Sequence, residues 1–317
     1  MTDAPLARAI DLDEAELLAL RLTLELYGDE HCPFGPIQPP PDPARIEVGT
    51  RSLVRRGLVE RRGFSPDRDL TRRVLVVSEP DARVVLLATG PGQAERVMDV
   101  YERTGAYVEH ARPGDRHRLG PVLEAREIFQ SVRERFAPRR STGDFIELGL
   151  DAPEHFALLA FAQELAVDAE APAVLGDDAQ LGPMESTLDG AVLVPGATPR
   201  LVGGEAGGIP PPPVPTEAEW RAALRSLEAK DILRPVQGGF QLKPYLRDLA
   251  VGLVQGARSV LTRFDFRAEG WVVRDATFVP VPGSLFVIKR RGQAGLRIQE
   301  LEPRSLERAL HEVVDPI

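Results

Sequence analysis

The chain has one cysteine, Cys32, so no disulfide can form within it, and a small scaffold stapled by several bridges is excluded. Lysine is almost missing, present only at 230, 243 and 289, which leaves arginine to supply nearly all positive charge. There is no basic excess: 39 Lys and Arg stand against 48 Asp and Glu, a net charge of −9. That balance argues against a dedicated nucleic-acid-binding protein. No apolar run reaches the ~20 residues of a membrane-spanning helix. The opening MTDAPLARAIDLDEAE lacks the basic start and apolar core of a secretory signal. These absences predict a cytoplasmic protein without membrane contact. Scarce lysine beside abundant Ala, Pro and Gly is the composition of a high-GC bacterial genome.

Catalytic constellations are also missing. Cys32 follows His31, but sequence neighbours do not by that fact form a thiolate and a positioned base. His110, His117, His155 and His311 include no pair at the i,i+4 spacing of a helical zinc site, and there is no cysteine cluster. LVGGEAGGIP (201–210) has glycines without the Lys-Ser/Thr of a phosphate loop, and Asp177-Asp178 sit in a Gly/Ala/Pro setting that reads as solvated chain. The expectation is a protein that is not an enzyme, with no cofactor and no metal.

What the chain does contain is a repeated order of elements. RSLVRRGLVERRGFSPDRDL (51–70) is echoed by RSLEAKDILRPVQGGFQLKPYL (225–246), with Ser52-Leu53 matching Ser226-Leu227 and Leu58-Val59 matching Ile232-Leu233 at an offset of 174. Phe64 and Leu70 match Phe240 and Leu246 at 176. Each stretch leads to an apolar run, ARVVLLAT (82–89) or ARSVLTRF (257–264), and later to an amphipathic helix, VLEAREIFQSVRERF (122–136) or PRSLERALHEVV (303–314). Order, spacing and element type together point to an internal duplication.

Local signals fill in the elements. Asp13 with Glu16 reads as a capping box opening a helix through AELLALRLTLELYG. A second helix is expected from Arg45 to Arg56, stopped by Gly57, and a third beginning at Ser65-Pro66. Thr216 caps the helix EAEWRAALRSLEAK, and Gly238-Gly239 make a turn. ARSVLTRFDF, GWVVRDATFVPVP, SLFVIKR and GLRIQEL predict an antiparallel meander. RVVLLAT, ERVMDVYER and AYVEHAR are its weaker counterpart in the first half. The expected fold is α+β, each copy a winged-helix-like helical module followed by a meander and a closing helix. The expected boundaries are 1–165 for the first repeat, 166–215 for a Pro/Gly-rich acidic linker with one ordered patch near GAVLV (190–194), and 216–317 for the second repeat.

Both helical modules are locally basic, with nine arginines against four acidic residues over 45–73 and six basic against two acidic over 220–247. Arg55, Arg56, Arg61 and Arg62 are therefore candidates to meet an acidic protein partner or, in the alternative, the phosphates of DNA through a winged helix-turn-helix. Against DNA stand the segment 145–206, with eleven acidic groups and one basic, and the apolar character of the residues shared by the two stretches. Base readout needs particular polar side chains, and those are not shared.

The helix-rich start, the RSLVRRGLV module, the sheet-forming middle, the closing helix VLEAREIFQSV and the second pass through the same order resemble the EspG family, cytosolic chaperones of type VII (ESX) secretion. That resemblance implies a pseudo-two-fold protein with a central antiparallel sheet flanked by helical bundles, which works by binding another protein. From the residues alone, a duplicated protein with a meander offers its sheet edges or a groove as recognition surfaces. Trp271, Phe278 and Phe286 are the candidate contacts, with core packing as the competing role.

Overall fold

The computed structural model describes residues 8–29, 31–60, 65–90, 93–136, 146–167, 174–175, 212–255, 258–267, 270–291 and 295–315. Arg61, Arg62, Phe64, the GAVLV patch, Asp177-Asp178, the glycine run 202–208 and most of the expected linker lie outside the described residues.

A short strand, β1 (Ile10–Asp13), leads straight into α1 (Glu14–Thr23). The Asp13 carboxylate accepts from the Glu16 amide and Glu16 accepts from the Asp13 amide, so the capping box forms as the residues suggest. The helix is shorter than its leucine-rich stretch. It ends at Thr23, Glu25 takes a φ of 57°, and the buried Arg21 donates to the carbonyls of Leu26 and Tyr27, fixing a turn there. Helix α2 (Pro43–Arg55) starts under the Asp42 cap and stops before Gly57, whose φ is 69°. Gly49 brings α2 close to α1: a Cβ there would sit 2.0 Å from the Ala15 carbonyl oxygen.

Ser65-Pro66 does not open a helix. It forms β3 (Ser65–Pro66), paired with β2 (Val59–Glu60), and α3 (Arg68–Ser78) begins only after Asp67. The Asp67 carboxylate accepts from the Asp69 and Leu70 amides, and this cap is a stronger start signal than the proline just before it, which lies in the hairpin. The meander β4 (Ala82–Gly90), β5 (Gln93–Arg103), β6 (Ala106–Ala111) and β7 (Arg116–Leu123) follows, then α4 (Ala125–Phe136).

The second half runs through the same order. Its elements are β8 (Glu147–Leu150), α5 (Ala152–Val167), β9 (Val174–Leu175), α6 (Glu217–Ala229), β10 (Leu233–Val236), β11 (Gly239–Leu242), α7 (Arg247–Gln255), β12 (Arg258–Arg267), β13 (Gly270–Val281), β14 (Ser284–Arg291), β15 (Gly295–Glu300) and α8 (Pro303–Val314). Thr216 and Glu219 form a capping box for α6, and Asp151 with Glu154 caps α5 in the way Asp13 and Glu16 cap α1.

Ten strands make one antiparallel sheet in the order β1-β7-β6-β5-β4-β12-β13-β14-β15-β8. The two meanders meet at its centre, where β4 pairs with β12 from Thr89↔Arg258 to Ala82↔Asp265. Residues 147–167, placed with the first repeat on sequence, lie with the second half: β8 pairs with β15, and α5 packs on α6 and α7. Within the stretch expected as linker, β9 pairs with β11.

Alternation sorts each strand's side chains onto two covered faces. Val84, Leu86, Val100, Tyr107, Leu261, Phe278 and Val287 pack under α4 and α8. On the other face, here the bundle face, Tyr101, Val108 and Leu119 meet α1–α3, and Val279, Phe286 and Ile288 meet α5–α7. The β2–β3 hairpin stands between α2 and α3, and α3 buries Leu70, Val74 and Val77 against β5–β7. The helix that follows the hairpin, α3, is therefore packed on the sheet and not presented as a free recognition helix, while α2 keeps an exposed face.

One residue of the C-terminal core does not fit its surroundings. His155 in α5 is 1% exposed, and neither ring nitrogen has a hydrogen-bond partner. Burial lowers its pKa from 6.5 to about 4. The unfolded chain then takes up a proton between those values that the folded chain refuses. The stability present above pH 6.5 is lost as pH falls toward 4, by up to about 3 kcal/mol. His155→Leu should raise the melting temperature at pH 5 by more than at pH 7.5, measured by circular dichroism. An equal shift at both pH values would contradict this assignment.

Candidate functional site

The sequence-predicted contacts fall in different places. Phe278 and Phe286 are buried on opposite faces of the sheet, under α8 and among α5–α7, so as they stand they build core and offer a partner nothing. Trp271 pairs with Phe266 in the register of β13 with β12. Arg55 is exposed, whereas Arg56 is already spent. Its guanidinium donates to the buried carboxylate of Glu16 at 2.6 Å and to the Asp11 carbonyl of edge strand β1 at 2.8 Å. Ser52 donates to the other Glu16 oxygen at 2.7 Å.

The same arrangement stands at the far end of the sheet. Glu154, also buried, accepts from Ser226 at 2.6 Å and from Lys230 at 2.6 Å, and Lys230 reaches the Gly149 carbonyl of edge strand β8 at 2.8 Å. Burial opposes ionisation of both carboxyls. The cation, the serine and the helix-cap amide outweigh it and hold each below the usual carboxylate range. The Ser-Leu that recurs in each basic stretch thus serves packing and a buried ion pair. Both edge strands are four residues long and carry a basic side chain on a backbone carbonyl, a protection against further strand pairing.

A further small apolar cluster lies on the bundle face, outside the cores of the two helical groups. Val85, Leu87 and Phe264 form a cluster of their own there, with half-buried Phe266 beside it. Across from Phe264 in the register is Val273, 43% exposed, on the stretch of β13 that pairs with β12 but runs past the last β13–β14 pair, Thr277↔Ile288. His31, from the loop between α1 and α2, stacks on Phe266 at 4.3 Å between ring centroids and walls the strip on one side. Next along the face, Arg83 makes a two-pronged bridge to Asp99 at 2.8 and 2.9 Å and lies over Tyr101. Burial works against the Arg83 charge, but Asp99 more than offsets it and the guanidinium's pKa rises. Val85, Leu87 and Phe264 are themselves buried, so the accessible apolar surface here is half-buried Phe266 and exposed Val273, beside a closed ion pair.

A second concavity, of about 520 Å³, lies on the opposite face between α4 and α8, where Phe129, Leu310 and His311 are rimmed by Arg133 and Glu307. Among the described residues no three His, Cys, Asp or Glu side chains are grouped to hold a metal ion. No helix among them is long and apolar enough to cross a membrane. Val273, Phe266 and Arg83 were not singled out on sequence. Both faces of β13 carry apolar residues, so alternation alone does not tell which residue is left open.

The architecture is that of an α+β protein built on one large antiparallel sheet. No protein-family model and no curated protein matches the sequence. Among solved structures, the chain is similar to the type VII secretion system chaperone EspG5 of Mycobacterium tuberculosis, determined in complex with the PE25–PPE41 dimer. The TM-score is 0.54 at 12% identity, covering 97% of this chain and 96% of that one. The likeness extends over both halves and concerns the fold.

Removing one partner of a buried ion pair leaves an uncompensated charge. Arg56→Ala should therefore lower unfolding free energy by on the order of 2 kcal/mol, while Arg55→Ala, one residue away, should change it by less than about 0.5 kcal/mol. Urea unfolding of the two variants separates these outcomes, and equal effects would contradict the role given to Arg56.

Proposed function

We propose that this chain is a chaperone-like adaptor that holds a partner protein against the bundle face of its sheet, at the strip around Phe266 and Val273. The observation that carries the reading is Val273, an aliphatic side chain left 43% exposed beside Phe264 and Phe266 where β13 runs past its pairing with β14. The likeness in fold to a chaperone solved with a bound protein dimer supports it. Occupied carbonyls on both edge strands favour the strip over strand addition at an edge. The partner's contribution is an apolar segment that covers Val273 and Phe266, and the protein's place of work on this reading is the cytoplasm.

The halves are the product of an internal duplication with a pseudo-two-fold axis at the β4–β12 contact. The shared element order supports this, as do the matched sets Asp13, Glu16, Ser52, Arg56 and Asp151, Glu154, Ser226, Lys230. The boundary between copies then falls before Glu147, and each copy brings one helical group to one side of the strip.

A tagged protein recovered from its own host after nuclease treatment should retain one dominant protein, identified by mass spectrometry. Val273→Asp should lose at least about nine-tenths of it, since a buried unpaired carboxylate costs several kcal/mol, with an unchanged circular dichroism spectrum. Retention of that protein by Val273→Asp, or recovery of nucleic acid alone, would overturn the proposal.

A further inference from the structure

The loop that walls the strip is fastened by a pair of histidines. His110 of β6 and His117 of β7 are buried beneath the α1–α2 loop, with His110 Nε2 and His117 Nδ1 3.0 Å apart. His117 Nε2 lies 3.2 Å from Oε1 of Glu14. Phe34 presses ring against edge on both imidazoles, at 5.4 Å from His110 and 5.0 Å from His117. Two residues earlier Cys32 is buried, and one before it His31 stacks on Phe266. The histidine pair and the strip are thus the two points at which this loop is held to the sheet.

The hydrogen-bond chain fixes where protons sit. With both rings neutral, His117 donates from Nε2 to Glu14 and accepts at Nδ1 from His110. One added proton can be shared across the short N···N contact. A second places two N–H groups nose to nose and two like charges side by side. The surrounding groups do not compensate it. From α1 come Glu14 and the buried Arg21, and from the β6–β7 turn comes Arg112, which already holds Glu14 at 2.9 Å. From β5 Tyr101 meets His110 edge-on with Arg83 over its ring, and from α3 Arg73, paired with Asp69, donates to the Leu119 carbonyl beside His110. From the loop, Asp29 accepts from the His31 and Cys32 amides. Burial first, then Arg112 and Arg21, outweigh Glu14 and lower the His117 pKa below 6.5.

We propose that His110 and His117 are an acid-released latch, whose protonation frees the loop carrying His31, Cys32 and Phe34 from the sheet and so unwalls the strip at Phe266. The functional consequence, pH-dependent release or admission of a partner, rests on the strip being the partner site. The latch itself does not.

Cys32 is the chain's single thiol and reports on the loop directly. Its rate of reaction with 4,4′-dithiodipyridine is measured from about pH 7.5 to about pH 4.5, relative to N-acetylcysteine amide at each pH. The His155→Leu background is used so that acid loss of the C-terminal core does not intervene, and far-UV circular dichroism is followed in parallel. The expected result is a relative rate that rises at least about tenfold across this acid range while the dichroism stays constant. The rise should disappear in His110→Gln and, independently, in His117→Gln. The imidazole NMR signals of the two histidines should titrate over the same range. A flat relative rate, a rise that persists in both variants, or a rise that coincides with loss of dichroism would overturn the latch. No partner is present in this experiment, so failure of the strip as a binding site would leave its outcome unchanged.

Discussion

The antiparallel contact of β4 with β12 is the constraint on which the molecule depends. It joins two four-stranded meanders into one sheet and leaves the short strands β1 and β8 as the edges. The hand-over of alternation across it sets Val84, Leu86 and Leu261 on one face and Val85, Leu87 and Phe264 on the other. Because each helical group packs near its own outer strands, the central strands carry bundle-face residues that neither group owns. The strip at Phe266 and Val273 follows from that geometry, before any question of a partner.

The ends of the sheet are settled by a different interaction, a carboxylate buried within each helix cap. Glu16 and Glu154 each close a capping box, accept a serine and bind a cation that also covers an edge carbonyl. One side chain thereby sets a helix start, ties two helices together and blocks a sheet edge. A basic residue that looks on sequence like a phosphate contact, Arg56, is consumed in doing so. Arg73, in the same stretch, is likewise buried and paired, with Asp69.

Caps and turns were legible. Asp13 with Glu16, Thr216, Gly57 and Gly238 stand where the residues suggest, because each works through bonds within a few positions. The C-terminal meander and α8 were also legible, from β-branched and aromatic runs between short turns and from one clear apolar stripe. The edge strands IDLD and ELGL are too short to show a period, and α5 is apolar on nearly every side, which erases the stripe. β7, RHRLGPVL, hides behind Gly120 and Pro121. The site was harder still. Phe278 and Phe286 are the residues that hydrophobicity picks out, and both faces of their strands are covered, so hydrophobicity marks core. Val273 is distinguished only by what fails to pack over it. His110 and His117 are seven residues apart across a turn, and only the register of β6 on β7, irregular between Val108 and His110, brings them together.

The most direct test of the central claim, that a partner protein lies on the strip between the helical groups, is site-specific photo-crosslinking in the host. A benzophenone amino acid is placed at position 273 in one strain and at position 147, on edge strand β8, in another. The account predicts a discrete crosslinked protein from position 273 and none from 147. A crosslink from 147 alone, or from neither position while the protein still co-purifies with its partner, would contradict it.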